Sequence, residues 1–358
     1  EISCKAISME KVVSLQCLIS LMMKKVYLRV SILLSLVERI YYEVKYLNLL
    51  LKSSIAKTIL AKSFRRKPLT VPVQPIDERD WPMPSMHVKG TIVLANFSLR
   101  NQTLPVKNQG RIGSCVGQSG RVVYGFCKEF EHNEPSVMHI YKTGQKFDPW
   151  PGEEYSGTTI RGAAVGLKNE GCCEEKYWPY TGKENAPAKE GFKENALSKK
   201  IDAFYVINKN DENLIKSTLL KEPLWTSIMV HEDLYFTDSS GVVNDEDYLS
   251  SKKAGGHAVA MIGWKTIGGR LYWEFQNSWG SWFGDKGYFY LSNDLYNKII
   301  INANGPFYIQ AHSENKKPKP PPKPTPPPNP DPKESNFIIR LFNKLIDLIK
   351  NMLKRKDK

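Results

Sequence analysis

The sequence predicts an α+β fold in which a mainly helical half faces a twisted antiparallel sheet. Three observations carry that prediction. First, the run from Val116 to Phe130, directly after Cys115, can form a helix. Second, a strongly apolar run follows His257 (AVAMIGW, 258–264) and reads as a buried strand. Third, Leu271–Gln276 and the run 287–291 are strand-like and flank a glycine-bearing loop, so they pair as antiparallel neighbours. A helix over Leu214–Leu220 and a strand over Leu224–Val230 extend the sheet half.

The chain has 358 residues, enough for one full core and one or two further units. Its net charge is +14, and the charge is unevenly placed. Residues 1–68 carry +9 and residues 314–358 carry +7, while residues 69–313 carry −2. A nearly neutral centre argues against a nucleic-acid site there, because such a site needs its own basic balance. The basic flanks suit an anionic surface or simple solvation.

The N-terminal flank, 1–68, is read as a basic amphipathic helical segment. Within residues 22–62 the longest charge-free run, Val30–Val37, has eight residues. A membrane-crossing helix needs about 20. Arg29 interrupts any signal-peptide core, and no small-residue cleavage site follows. The segment is either a hairpin packed on the main domain, an inhibitory pro-segment, or a membrane-surface element. Residues 69–95 contain Pro72, Pro75, Pro82 and Pro84 and read as an extended connector. Residues 96–312 form the folded domain. Residues 313–334 are a proline-rich linker: ten of the fifteen residues from Pro318 to Pro332 are proline, which favours a stiff polyproline II spacer. Residues 335–358 form a basic amphipathic helix, with Leu341, Leu345, Leu348 and Met352 on one face. That pattern fits a membrane surface or a partner groove, or a helix that folds back.

Six cysteines in a chain this long are not a disulfide scaffold, and no Cys–His spacing resembles a zinc site. Cys127, Cys172 and Cys173 read as small buried residues. His87, His132, His139, His231 and His312 read as surface or satisfied core residues.

Chemistry concentrates in three stretches. In LPVKNQGRIGSCVGQSG (104–120), Cys115 stands at the start of a helix. There the helix dipole and free backbone N–H groups favour the thiolate, which is the nucleophilic form. In GGHAVAMIGW (255–264), His257 stands at the edge of the expected strand, 142 residues after Cys115. In YWEFQNSWGSWFGDKGYFYL (272–291), Asn277 closes a strand and is brought near His257 by antiparallel pairing.

These three stretches resemble the papain-like, C1-type family of cysteine peptidases, most closely its bacterial, archaeal and viral members. PVKNQGRIGSC resembles the active-site segment, GGHAVAMIGW the histidine strand, and QNSWG the asparagine motif. The segment 157–182 resembles a cleft wall, and IDERDWPM (76–83) resembles the run before the core. The likeness covers about residues 76–312. It implies the two-lobed papain-like fold, with a helical lobe from Cys115 to about Tyr180. It implies Cys115 as nucleophile, His257 as base and Asn277 as the residue orienting the ring. It also implies an oxyanion hole from the Gln109 amide and the Cys115 N–H. Gly157 is then the wall that pairs with substrate backbone, and Trp279 shields the catalytic line from water.

Three departures stand out, one being Val116 where the Cys-Gly-Ser-Cys-Trp pattern ends in tryptophan. Ile112 replaces a cysteine of the common Cys-Gly-Ser-Cys-Trp pattern, which removes a familiar disulfide. Phe283 stands where the family often has tryptophan.

The implied function is endopeptidase hydrolysis of a peptide or protein substrate, with no cofactor and no nucleic acid. The alternative is an inactive peptide-binding scaffold tethered to a membrane or partner by its basic flanks. Compartment is not legible. A peptide of residues 335–358 is expected to bind anionic vesicles at low salt in a sedimentation assay. Failure to bind removes the membrane-surface reading of that helix.

Overall fold

The computed structural model describes residues 67–311 apart from 79, 84–91, 93, 128–133, 151–154 and 303. The helices expected in 1–68 and 335–358 and the proline-rich spacer lie outside the described residues. So do Cys4, Cys17, His87, His132 and His312.

After a short strand β1 (Asn96–Ser98) come three helices: α1 (Cys115–Cys127), α2 (Val137–Phe147) and α3 (Ile160–Asn169). Ser136 and Thr159 cap α2 and α3, accepting from the N–H of His139 and Gly162. Then follow α4 (Phe192–Leu197), β2 (Ala203–Val206), α5 (Glu212–Leu219) and β3 (Leu224–His231). The chain continues through α6 (Asp245–Ser250), β4 (Lys253–Ile267), β5 (Arg270–Gln276), β6 (Tyr288–Ser292), α7 (Asn293–Ile299) and β7 (Phe307–Gln310). The seven strands form one antiparallel sheet in the order β2–β7–β3–β4–β5–β6, with β1 added to β4.

The helix after Cys115, the helix before β3, and strands β3, β5 and β6 fall where the sequence places them. One element differs. His257 was expected just ahead of its strand, but it lies inside β4, because Lys253–Gly256 continue the pairing with β3. Two glycines, Gly255 and Gly256, masked that extension, since glycine weakens a strand signal.

Strand β4 is buried on both faces, which explains its continuous apolar run. Ala258, Ala260 and Ile262 join one core with Val116, Val123, Ile140, Leu167 and Trp225. Val259 and Met261, on the opposite face, join a second core with Trp273, Phe275, Phe289 and Tyr296. The alternation is the period of two that a strand requires. The first core joins the helices to the sheet and so sets where Cys115 stands relative to His257.

Two details hold α1 on the sheet. Trp225 of β3 is fully buried and its Nε1–H donates to Ser119 Oγ at 2.8 Å. Gly120 leaves room for that ring, since a Cβ there would lie 2.6 Å from Trp225 Cζ2. Trp225→Ala is expected to cost about 3–5 kcal/mol, the range for deleting a large buried aromatic. Urea unfolding followed by circular dichroism measures it.

Candidate active site

Cys115 opens α1, where the first N–H groups lack helical acceptors. Backbone groups of Ala258, the residue after His257, and of Val116 and Cys115 itself lie near the sulfur and favour its thiolate. The thiol thus lies against the strand that carries the histidine.

Asn277 Oδ1 is 2.8 Å from His257 Nε2. The same oxygen accepts the Ser278 N–H at 2.8 Å, so it is an acceptor and the imidazole proton sits on Nε2. His257 Nδ1 therefore carries a lone pair, and it is buried without a hydrogen-bond partner. It is the ring nitrogen left without a partner. The Asn277 N–H donates to Gly287 O at 2.9 Å, which ties the asparagine to the start of β6.

Trp279 is fully buried, with its ring 4.9 Å from that of His257. Tyr235 stacks on its other side at 5.1 Å, and Phe283 meets it edge-on at 5.0 Å. The phenylalanine that departs from the family pattern is thus packed beneath the tryptophan.

Gln109 is also fully buried. Ser278 Oγ donates to its Oε1 at 2.7 Å, and its backbone N–H donates to Ser278 O at 2.8 Å. Its Nε2 donates to Ile112 O at 3.1 Å and reaches Pro68 O at 3.5 Å. Tyr180 Oη donates to Gln109 O at 2.6 Å and lies 2.8 Å from Ser114 Oγ, bracing the loop before Cys115.

Gly157 sits across the cleft with a φ of +104°, a region open mainly to glycine. Asp148 holds its loop, accepting from Tyr155 Oη at 2.6 Å, Thr158 Oγ1 at 2.8 Å and the Thr159 N–H at 3.1 Å. Gln145 Nε2 donates to Gly157 O at 3.1 Å, and the Gly157 N–H donates to Tyr141 Oη at 3.0 Å.

The cleft is not empty, because residues 67–74, read in the sequence as the end of the helical segment (67–68) and the start of the connector (69–74), run through it. Val71 N–H donates to Gly256 O at 3.2 Å, and Thr70 pairs with Gly256 in a parallel bridge. Thr70 O lies only 2.2 Å from where a Gly157 Cβ would be, and Val71 O only 1.9 Å from where a Gly256 Cβ would be. Both glycines are needed for this close approach. Val71 is buried in the core that contains Cys115 and Ala258. Downstream, Gln74 N–H donates to Ile301 O at 3.0 Å, and Arg161 pairs with Asp77 and Asp80.

Val71, in the same core as Cys115, adds to the burial that governs the electrostatics. Burial pushes the Cys115 thiol up to about 11, against the stabilising backbone hydrogen bonds. Burial likewise lowers His257 to about 4, against the Asn277 hydrogen bond. In this covered form the pair is a neutral thiol and a neutral imidazole.

All six residues singled out in the sequence converge here. Sequence reasoning missed Ser278, Tyr180 and Asp148 as braces and residues 67–74 as the cleft's occupant. Ser278 and Tyr180 lay inside quoted motifs, whereas nothing local marks Asp148.

Fold and site together are those of a cysteine peptidase. The papain family cysteine protease profile matches residues 95–308, and the chain belongs to that family. It is 27% identical over 224 residues to an uncharacterized peptidase C1-like protein of Acanthamoeba polyphaga mimivirus, covering 57% of this chain and 70% of that one. It is 30% identical over 196 residues to mouse pro-cathepsin H, covering 53% of this chain and 56% of that one. The chain thus spans a little over half the length of the mouse relative. Among solved structures, the fold matches the cysteine protease xylellain of Xylella fastidiosa with a TM-score of 0.57 at 22% identity, over 70% of this chain and 98% of that one.

A thiol at about 11 is ionised in on the order of one molecule in ten thousand at pH 7. Thiolate rises with pH through that value, so iodoacetamide alkylation of Cys115 in the intact chain is expected to climb from pH 7 towards pH 11. Peptide mapping of the alkylated cysteines reads it. A plateau below pH 8 contradicts a covered, neutral pair.

Proposed function

We propose that the protein is an endopeptidase that cleaves peptide or protein substrates through Cys115, His257 and Asn277. The observation that carries this reading is the His257–Asn277 contact of 2.8 Å, which leaves Nδ1 unpaired on the strand that lies near the Cys115 sulfur.

In this reading the covering segment leaves and water and substrate enter. His257 Nδ1 takes the thiol proton, and the thiolate adds to the peptide carbonyl carbon. The carbonyl oxygen gains negative charge and is met by Gln109 Nε2–H and the Cys115 N–H. Such donors contribute roughly 3–4 kcal/mol each to the transition state. The carbon–nitrogen bond then breaks, and the imidazolium gives its proton to the leaving amine. Water, losing a proton to His257, attacks the thioester and releases the acid, and the thiol is restored. Asn277 holds the ring in the tautomer this sequence needs. Trp279 covers the His257–Asn277 bond from solvent, and Gly157 pairs with substrate backbone at the place where Thr70 now approaches it.

Residues 67–74 act as an internal inhibitor in this account, continuous with the basic N-terminal segment. The basic flanks, 1–68 and 335–358, are assigned to an anionic membrane surface or a protein partner. Complete burial of Cys115 also favours a second reading, a peptide-binding scaffold that never uncovers its thiol.

One experiment separates the two. The full chain, Cys115→Ala and Val71→Asp are incubated with a peptide-epoxide inhibitor and followed by intact mass. Val71→Asp places a charge in an apolar site only while the segment is seated, so it favours release. Slow labelling of the natural chain, at least about tenfold faster labelling of Val71→Asp, and none in Cys115→Ala are expected for an electrostatic cost of this kind. Equal rates in the first two exclude the segment as the gate. No labelling of any form supports the scaffold.

A further inference from the structure

Two cationic side chains are buried among the described residues, Arg121 and Lys142. Arg121 has its countercharge in Glu134. Lys142 is only 8% exposed, yet its ammonium meets neutral groups. Asn185 Oδ1 accepts from it at 3.2 Å, and the Tyr141 ring centroid lies 5.5 Å away. Glu184, beside Asn185, is taken up by Tyr141 Oη at 2.6 Å and makes no ion pair with Lys142 among the described residues. A buried charge without an opposite charge is costly, and such groups are normally paired.

Lys142 lines a cavity of about 640 Å³ between the outer face of α2 and α4. One wall of the cavity is aromatic. Trp178 and Phe192 stand edge-to-face with centroids 5.3 Å apart, and His139 lies 5.7 Å and 5.6 Å from them. His139 Nδ1 accepts the Cys173 N–H at 2.9 Å, so the ring proton sits on Nε2. That Nε2–H is the ring's remaining donor. Lys146, at the rim, is already matched by Glu170. The lining thus offers one buried cation without a countercharge, a second cation at the exposed rim in Lys193, one neutral donor and an aromatic wall, and shares no residue with the catalytic cleft.

We propose that this cavity is a second ligand site, which takes a small aromatic carboxylate. Its carboxylate pairs with Lys142 and accepts from His139 Nε2–H, and its ring lies against Trp178 and Phe192. The anion supplies the countercharge that the fold omits at Lys142 and provides at Arg121.

The test is isothermal titration of the full chain with 2-naphthoate and with 2-naphthamide, which has the same body and no charge. Naphthoate is expected to bind at least about tenfold more tightly, the scale of a hydrogen bond to a charged group. Lys142→Met is expected to abolish that difference, and Phe192→Ala to weaken both ligands. The comparison in the unmodified chain needs no variant, so a misfolded variant leaves it intact. Equal affinities for the two ligands, no binding of either at millimolar concentration, or a preference that survives Lys142→Met each overturns the proposal.

Discussion

The N-terminus of α1 rests on β4, and the site depends on that contact. Ala258 and Ala260 are small, so the helix comes close enough for the Ala258 backbone to lie near the Cys115 sulfur. Strand alternation sends the next side chain back, His257, to the other face, where Asn277 and Trp279 fix it. The two lobes are therefore joined at the point where chemistry is proposed. A helix shifted along its axis by one turn would move the sulfur about 5.4 Å away from Ala258. Packing of Trp225 under Gly120 holds the register.

The second constraint is dielectric. A thiolate–imidazolium pair needs either water or strong hydrogen bonds to stabilise it. With residues 67–74 seated, the sulfur and the ring are both fully buried, and the neutral forms win. The covering chain meets Gln109, Gly157 and Gly256, and in the proposed reading Gln109 and Gly157 also meet the substrate. Inhibition and recognition thus share one set of contacts in this account. The anchor formed by Gln74, Arg161 and Asp77 lies downstream of the cleft, so losing only the residues before 67 leaves the cover attached.

Much of this was legible in the sequence because the groups sit where local rules are strong. Cys115 opens a helix after a glycine turn, Asn277 ends a strand, and Trp279 follows within the same short motif. Helices and strands with a clear period were placed to within a few residues. The position of His257 inside β4 was lost to the two glycines before it. The covering segment read as a connector because its prolines describe its extended form and say nothing of distant partners. Its hydrogen bonds reach Gly256 and Ile301, far away in the chain. Asp148 and Gln145 were silent for the same reason, since their roles exist only once the loop carrying Gly157 has folded onto α2. The missing countercharge at Lys142 likewise becomes visible only in three dimensions.

The central claim is that substrate-like ligands and residues 67–74 compete for one cleft in front of Cys115. Amide hydrogen exchange of the full chain, before and after reaction with a peptide-epoxide, tests it most directly. The account predicts that the Val71 N–H, bonded to Gly256 O, is protected in the free chain and becomes labile once Cys115 carries the inhibitor. Protection of Val71 that persists on fully labelled protein would contradict it.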